Sequence, residues 1–145
     1  MGARRYAAIL ATLSGLAGCA TTKSYVAPMA HASDAREIAA RIAGYLSTRW
    51  PPLVTTLAVE EPPQPNSFDA DLRRSLTTWG FALAAPGTPG SHDVLYRVSP
   101  LENGEVIRLV LDHRIELARF YARGVDGVLS FGGPVARIEL TAAAP

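Results

Sequence analysis

The chain has 145 residues, 48% of them hydrophobic, which suits one packed domain and argues against a multidomain enzyme. Its 14 Lys and Arg against 13 Asp and Glu leave a formal net charge of +1, without the basic field that draws nucleic acid. One cysteine excludes an internal disulfide framework and any multi-cysteine zinc or iron–sulfur site, and leaves open what that cysteine does.

The first element in chain order addresses the cysteine. Arg4-Arg5 precede an uncharged apolar run from Tyr6 to Leu16, which ends in Leu16-Ala17-Gly18-Cys19. Positive, apolar, then small residues is the order of a secretory signal peptide. The run is about half of the roughly 20 residues a membrane-spanning helix needs. The quartet resembles the lipobox of bacterial lipoproteins, where the signal is cut just before a cysteine whose thiol is acylated. That resemblance implies a signal peptide over residues 1–18, peptidase recognition through Leu16, Ala17 and Gly18, and a covalent lipid on Cys19. The thiol is then consumed, no other cofactor is implied, and several acyl chains anchor the protein durably in the bilayer where one would hold it only marginally. Ala20 stands where Asp would favour inner-membrane retention, so the resemblance implies the periplasmic face of the outer membrane of a Gram-negative cell. Once Arg4 and Arg5 are removed, the 14 basic residues become 12, against 13 acidic ones.

Residues 19–33 continue with Thr, Ser, Ala, Pro and His without a hydrophobic period, which reads as a flexible tether. At about 3.6 Å per residue such a tether reaches roughly 50 Å when extended. Alternatively, Tyr25-Val26 adds as a short strand to a partner's sheet edge. A single domain is expected over residues 34–145. Asp34 and Glu37 look like a helix start, with Asp34 capping, and Ile38, Ile42, Tyr45 and Leu46 recur at helical spacing until Trp50-Pro51-Pro52. Leu53 to Val59 reads as a strand with Leu53, Thr55, Leu57 and Val59 on one face. After the Pro-rich connector Glu61 to Asn66, a second helix carries Phe68, Leu72, Leu76 and Trp79 as one stripe and ends at Gly80. Phe81 to Ala84 is a short strand, and Pro86 to Gly90 a loop. Val94 to Val98 and Val106 to Leu111 form a hairpin about Asn103-Gly104. Ile115 to Tyr121, Val128-Leu129 and Val135 to Leu140 follow, separated by turns at Asp126-Gly127 and Gly132-Gly133-Pro134. The expected fold is α+β: two amphipathic helices on one face of a mainly antiparallel sheet, in the order α-β-α-β followed by a meander.

Signals for chemistry are sparse. His31, His92 and His113 are far apart in sequence and none has metal-ligand spacing, so no metal site is expected. There is no G-x-S-x-G elbow, Walker loop or dinucleotide fingerprint, and Gly132-Gly133-Pro134 lacks the following helix a phosphate site needs. The pairs Glu60/Glu61, Asp69/Asp71 and Asp112/Glu116 occupy ordinary structural positions, the second in a helix's first turn. No enzymatic activity is therefore expected, and one would require His92, His113 and Asp112 to converge in a pocket. Arg73 and Arg74 suit either a solvated helix face or an acidic partner. Arg119 and Tyr121, on one strand face, suit either cross-strand packing or a docking element.

The mature chain as a whole resembles a known family. A lipobox, a short polar spacer, an amphipathic helix, a strand, and then Phe68-x3-Leu72-x3-Leu76 with Trp79-Gly80-Phe81 is similar to the TrbH family of conjugal-transfer lipoproteins. Leu95-Tyr96 in a strand, the glycine-containing hairpin, Val106 to Leu109, Arg119-x-Tyr121 and the late Gly-Gly-Pro turn agree with it. The resemblance implies a structural lipoprotein of a conjugative type IV secretion, or mating-pair-formation, apparatus. Its partners would be the bilayer and protein subunits of the secretion channel, with no contact to the transferred nucleic acid. Similar beginnings occur in auxiliary outer-membrane lipoproteins of ABC-type lipid-transport systems and in small-ligand-binding periplasmic lipoproteins, which are the alternative.

Overall fold

The computed structural model describes residues 23–27, 32–131 and 133–140, with the backbone alone at Ala32 and Phe131. Over these residues the chain forms two α-helices and an eight-stranded sheet. In chain order they are β1 (Tyr25–Val26), α1 (Ala32–Arg49), β2 (Thr56–Val59), α2 (Ser67–Trp79), β3 (Ala82–Ala84), β4 (His92–Leu101), β5 (Gly104–Leu111), β6 (Ile115–Arg123), β7 (Leu129–Phe131) and β8 (Ala136–Glu139).

Local chemistry sets the helices. In α2, the Asn66 side chain accepts a hydrogen bond from the Asp69 N–H at 2.9 Å, which satisfies one orphan donor of the first turn. Gly80 closes the helix at φ 99°, a left-handed conformation that glycine adopts without a Cβ penalty. Phe68, Leu72 and Leu76 are fully buried on the inner stripe, each contributing about 1.5–3 kcal/mol of apolar burial. Trp79 does not complete that stripe: it is half exposed at the last turn. In α1, Ala35, Ala39 and Ala43 alternate with Ile38, Ile42 and Leu46 on the buried side, and the small residues let α1 approach its neighbours closely. The helix begins two residues before Asp34, so Asp34 sits inside the first turn and serves an ion pair with Arg123 instead of capping.

The strand expected from Leu53 starts later. Consecutive prolines at 51 and 52 favour a tight turn, which the Thr55 N–H closes onto the Pro52 carbonyl at 3.2 Å. Leu53 and Val54 are thereby exposed on a 3-10 turn, and pairing begins at Thr56.

The sheet order is β3-β2-β4-β5-β6-β7, with β1 also on β4 and β8 also on β6. From β4 onward the pairing is antiparallel, as in the expected meander, whereas β1, β2 and β3 join in parallel. The β4–β5 connection is displaced by one residue from the Asn-Gly signal: Leu101 pairs with Gly104, and Glu102 takes φ 51°. Gly104 is needed for close approach instead, since a Cβ there would lie 2.0 Å from the Tyr121 carbonyl and 2.8 Å from the Phe120 ring. Both helices cover one face, where Leu57, Val59, Val94, Tyr96, Val98, Ile107, Leu109, Leu111 and Leu117 form the core with them. The alternate residues, among them Arg97, Val106, Arg108 and Phe120, stand on the opposite face, which is helix-free among the described residues.

The segment expected to be a tether is in part structural. Tyr25 and Val26 pair with Arg97 and Val98 of the chain's own β4, and the Ala27 N–H donates to the Val98 carbonyl at 2.9 Å. No partner's sheet is required for that strand. β2 and β1 share one edge of β4 end to end, leaving Tyr96 between them, and its N–H donates to the fully buried Ser24 hydroxyl at 3.2 Å. An amide at such a break would otherwise be buried without an acceptor.

Candidate functional site

The sequence-selected lipid site Cys19, its recognition residues Leu16, Ala17 and Gly18, and His31 and Gly132 lie outside the described residues. Of the candidate partner contacts, Arg73 turns inward. Its Nε donates to Asp69 Oδ2 at 2.7 Å and its Nη2 to the Val59 carbonyl at 3.0 Å, while the Tyr96 hydroxyl donates to Asp69 Oδ1 at 2.7 Å. This bracket joins α2 to β2 and β4. Burial, reinforced by the hydrogen bond to Asp69, pushes the Tyr96 hydroxyl pKa upward, so it stays a neutral donor. Arg74, one residue on, is exposed and pairs with Asp71 at 2.7 Å.

Arg119 and Tyr121 stand together, with the guanidinium carbon 5.9 Å from the ring centroid. They line a groove of about 290 Å³ between α1 and the helix-facing side of β5 and β6. Arg41, Ile42, Tyr45 and Thr48 form the α1 wall, and Ile107, Leu109, Leu117 and Val135 the sheet wall. Arg41 Nη2 is 2.5 Å from Glu37 Oε1. Tyr121 is 4% exposed and its hydroxyl pKa is raised by burial. Two guanidinium-bearing residues beside apolar walls fit an apolar group with an anionic or carbonyl end, from a small ligand or a partner side chain. The α1 contribution has no separate signature in the sequence, because it depends on where the helix crosses the sheet.

At the lower end of the sheet, groups read as isolated come together. The pairing of Leu111 with Val94 brings the Asp112–Arg114 turn beside His92 and Asp93. His92 Nδ1 lies 2.9 Å from Asp112 Oδ2, the Asp93 N–H donates to Asp112 Oδ1 at 2.9 Å, and His113 Nε2 is 3.5 Å from Asp93 Oδ2. Trp50 stacks on the His92 ring with centroids 4.3 Å apart. The hairpin register was the signal that could have found this cluster. His92, His113 and Asp112 do come together at this end of the sheet, and none of the three lines the groove of Arg119 and Tyr121. Among the described residues no group of three or more His, Cys, Asp or Glu is placed to hold a metal ion.

At the upper end Arg123 pairs with Asp34, and its Nη1 donates to the Gly127 carbonyl at 2.6 Å. The hydrogen bond to Asp34 raises the Arg123 pKa. Nearby Glu105 is buried, and burial first, then the charge of Asp34, raise its carboxyl above the ordinary 4.5, against a lowering by Arg123. The folded state therefore holds this proton more tightly than the unfolded chain. Its stabilising contribution is complete below 4.5 and is lost as pH rises through the raised value. Glu105→Gln should accordingly unfold at higher denaturant than the parent at pH 7, with the advantage vanishing near pH 4. Urea midpoints across that range check it, and a destabilised variant at pH 7 would contradict this account.

The family model described as "Conjugal transfer protein TrbH" matches residues 19–138. The chain belongs to the TrbH family. Neither a curated protein nor a solved structure matches it. TrbH membership assigns it to conjugal transfer, as a component that works with other proteins of the membrane-associated transfer apparatus. Among the described residues no helix is long and apolar enough to cross a membrane.

Proposed function

We propose that this TrbH protein is a structural lipoprotein of a conjugative type IV secretion apparatus, held by acylated Cys19 on the periplasmic face of the outer membrane. The observation that carries the reading is the family match over residues 19–138, which begins at the cysteine of Leu16-Ala17-Gly18-Cys19. The protein acts by position: the lipid fixes one end, and the domain presents surfaces to neighbouring subunits. A near-balanced charge supports protein and lipid contacts over contact with the transferred DNA. The groove supports a partner side chain in that setting. It is also the feature that favours the alternative of a small-ligand-binding lipoprotein.

Replacing the cysteine tests the reading. In a strain whose own copy is deleted, Cys19→Ser should leave the outer-membrane fraction and reduce mating to the level of the deletion. The parent sequence restores both. Normal transfer by the Ser variant would refute an anchor-dependent role. A mature N-terminus without acyl chains would refute the lipid assignment itself.

A further inference from the structure

We infer that the helix-free face of the sheet rests on the phospholipid surface that holds Cys19; this depends on Cys19 being acylated. The argument starts from covalent reach. Ser24 is fully buried and bonded to Tyr96, and Tyr25 and Val26 are paired with β4, so the folded unit begins at residue 24. Five residue steps separate it from Cys19, and whatever conformation they take they span at most about 18 Å. A six-strand sheet is about 24 Å across at about 4.8 Å per strand. The anchor is thus shorter than the domain is wide, and the bilayer must lie against whichever surface surrounds the entry of β1.

On the helix side that entry is occupied. Arg73 is bonded to the Val59 carbonyl and Tyr96 to Asp69, which brings α2 down over the break between β2 and β1. Among the described residues no helix lies over the other side, and it has the composition of a bilayer contact. Tyr25 is 45% exposed there, with the Arg97 guanidinium 6.0 Å from its ring centroid. Along the same face stand Val106, Arg108, Phe120 and, on β8, the exposed Ile138. An aromatic ring beside arginines over an apolar floor matches the layer where phosphates meet acyl chains. Exposed Lys23 adds a third cation close to the anchor. The carboxylates of this face include Glu60 at the end of β2 beside the entry, Glu116, 3.6 Å from Arg108, and Asp93 beside His113. Arg97 and Lys23 stand nearest the entry point, which suits anionic head groups.

The test uses the full acylated protein in vesicles of phosphatidylethanolamine and phosphatidylglycerol. Its single native cysteine carries the lipid, so an introduced cysteine takes a fluorophore at one place. Arg108→Cys reports the helix-free face, and Arg74→Cys reports the exposed side of α2. With a head-group quencher in the vesicles, fluorescence at 108 should be quenched several-fold more than at 74. Equal quenching, or stronger quenching at 74, would overturn the inference. So would a label at 108 that lipid leaves unquenched and that is shielded only when other transfer proteins are added, because a protein would then cover the face. Mass spectrometry of the same samples separates the two levels. An acylated protein without preferential quenching refutes the orientation alone, whereas an unacylated protein refutes the anchor and the orientation with it.

Discussion

Phe68→Ala should lower the unfolding free energy by about 4 kcal/mol, in the range expected when a buried aromatic is cut back to Ala. Phe68 is 1% exposed at the first turn of α2, and its ring lies 5.1 Å from that of Tyr96 in a tilted arrangement. The helix is held there by its cap, by Asp69 and by Arg73, so the surroundings cannot collapse into the void. Phe68→Leu keeps most of the volume and should cost only about 1.5 kcal/mol. Denaturant unfolding of the purified protein measures both. A loss below about 1 kcal/mol for the Ala variant would mean that α2 does not pack on β4 as described.

The second large effect comes from the polar bracket beside it. Asp69→Ala removes the acceptor of the buried Tyr96 hydroxyl and the partner of the Arg73 Nε in one step. Leaving such groups without partners should cost about 3 kcal/mol, more than their net contribution when paired. Tyr96→Phe removes only the hydroxyl and should cost about 1 kcal/mol. The double variant separates a network from independent contacts. Once Tyr96 is Phe, losing Asp69 no longer strands a hydroxyl, so the combined loss should fall short of the sum by about 1–2 kcal/mol. Strict additivity would show that the bracket is not coupled.

These two residues also mark what was legible in the sequence. The stripe Phe68-Leu72-Leu76 and the stop at Gly80 are local, and a cap at Asn66 or Ser67 is offered by neighbouring residues, so α2 could be read to within a residue. The same holds for Arg119 and Tyr121, which share a strand face by the two-residue period alone. The inward turn of Arg73 was not legible, because it depends on a Val59 carbonyl that sheet geometry delivers. Trp79 fits the helical period of the stripe and still reaches the surface, since the core ends before the last turn does. Tyr25-Val26 could be read as a short strand but its neighbour could not, because the pairing is with residues more than 70 positions away. The His–Asp cluster was hidden for the same reason: it needs the β4–β5 register. Local preferences are written in neighbouring residues, whereas edge pairings and clusters are decided by topology.

The placement of Ser24, Tyr25 and Val26 also governs the order in which the fold can be completed. Hairpins such as β4–β5 and β5–β6 close over short stretches of chain and carry little loop-closure entropy. The first strand instead must wait for its neighbour, because Ser24 and Tyr96 are 72 residues apart. A chain that emerges N-terminus first therefore cannot place its first strand until β4 has emerged. Until Tyr96 arrives, Ser24, Tyr25 and Val26 have no strand to join. Docking of β1 then buries the Ser24 hydroxyl against the Tyr96 amide, so the first strand closes onto a sheet edge that is already formed.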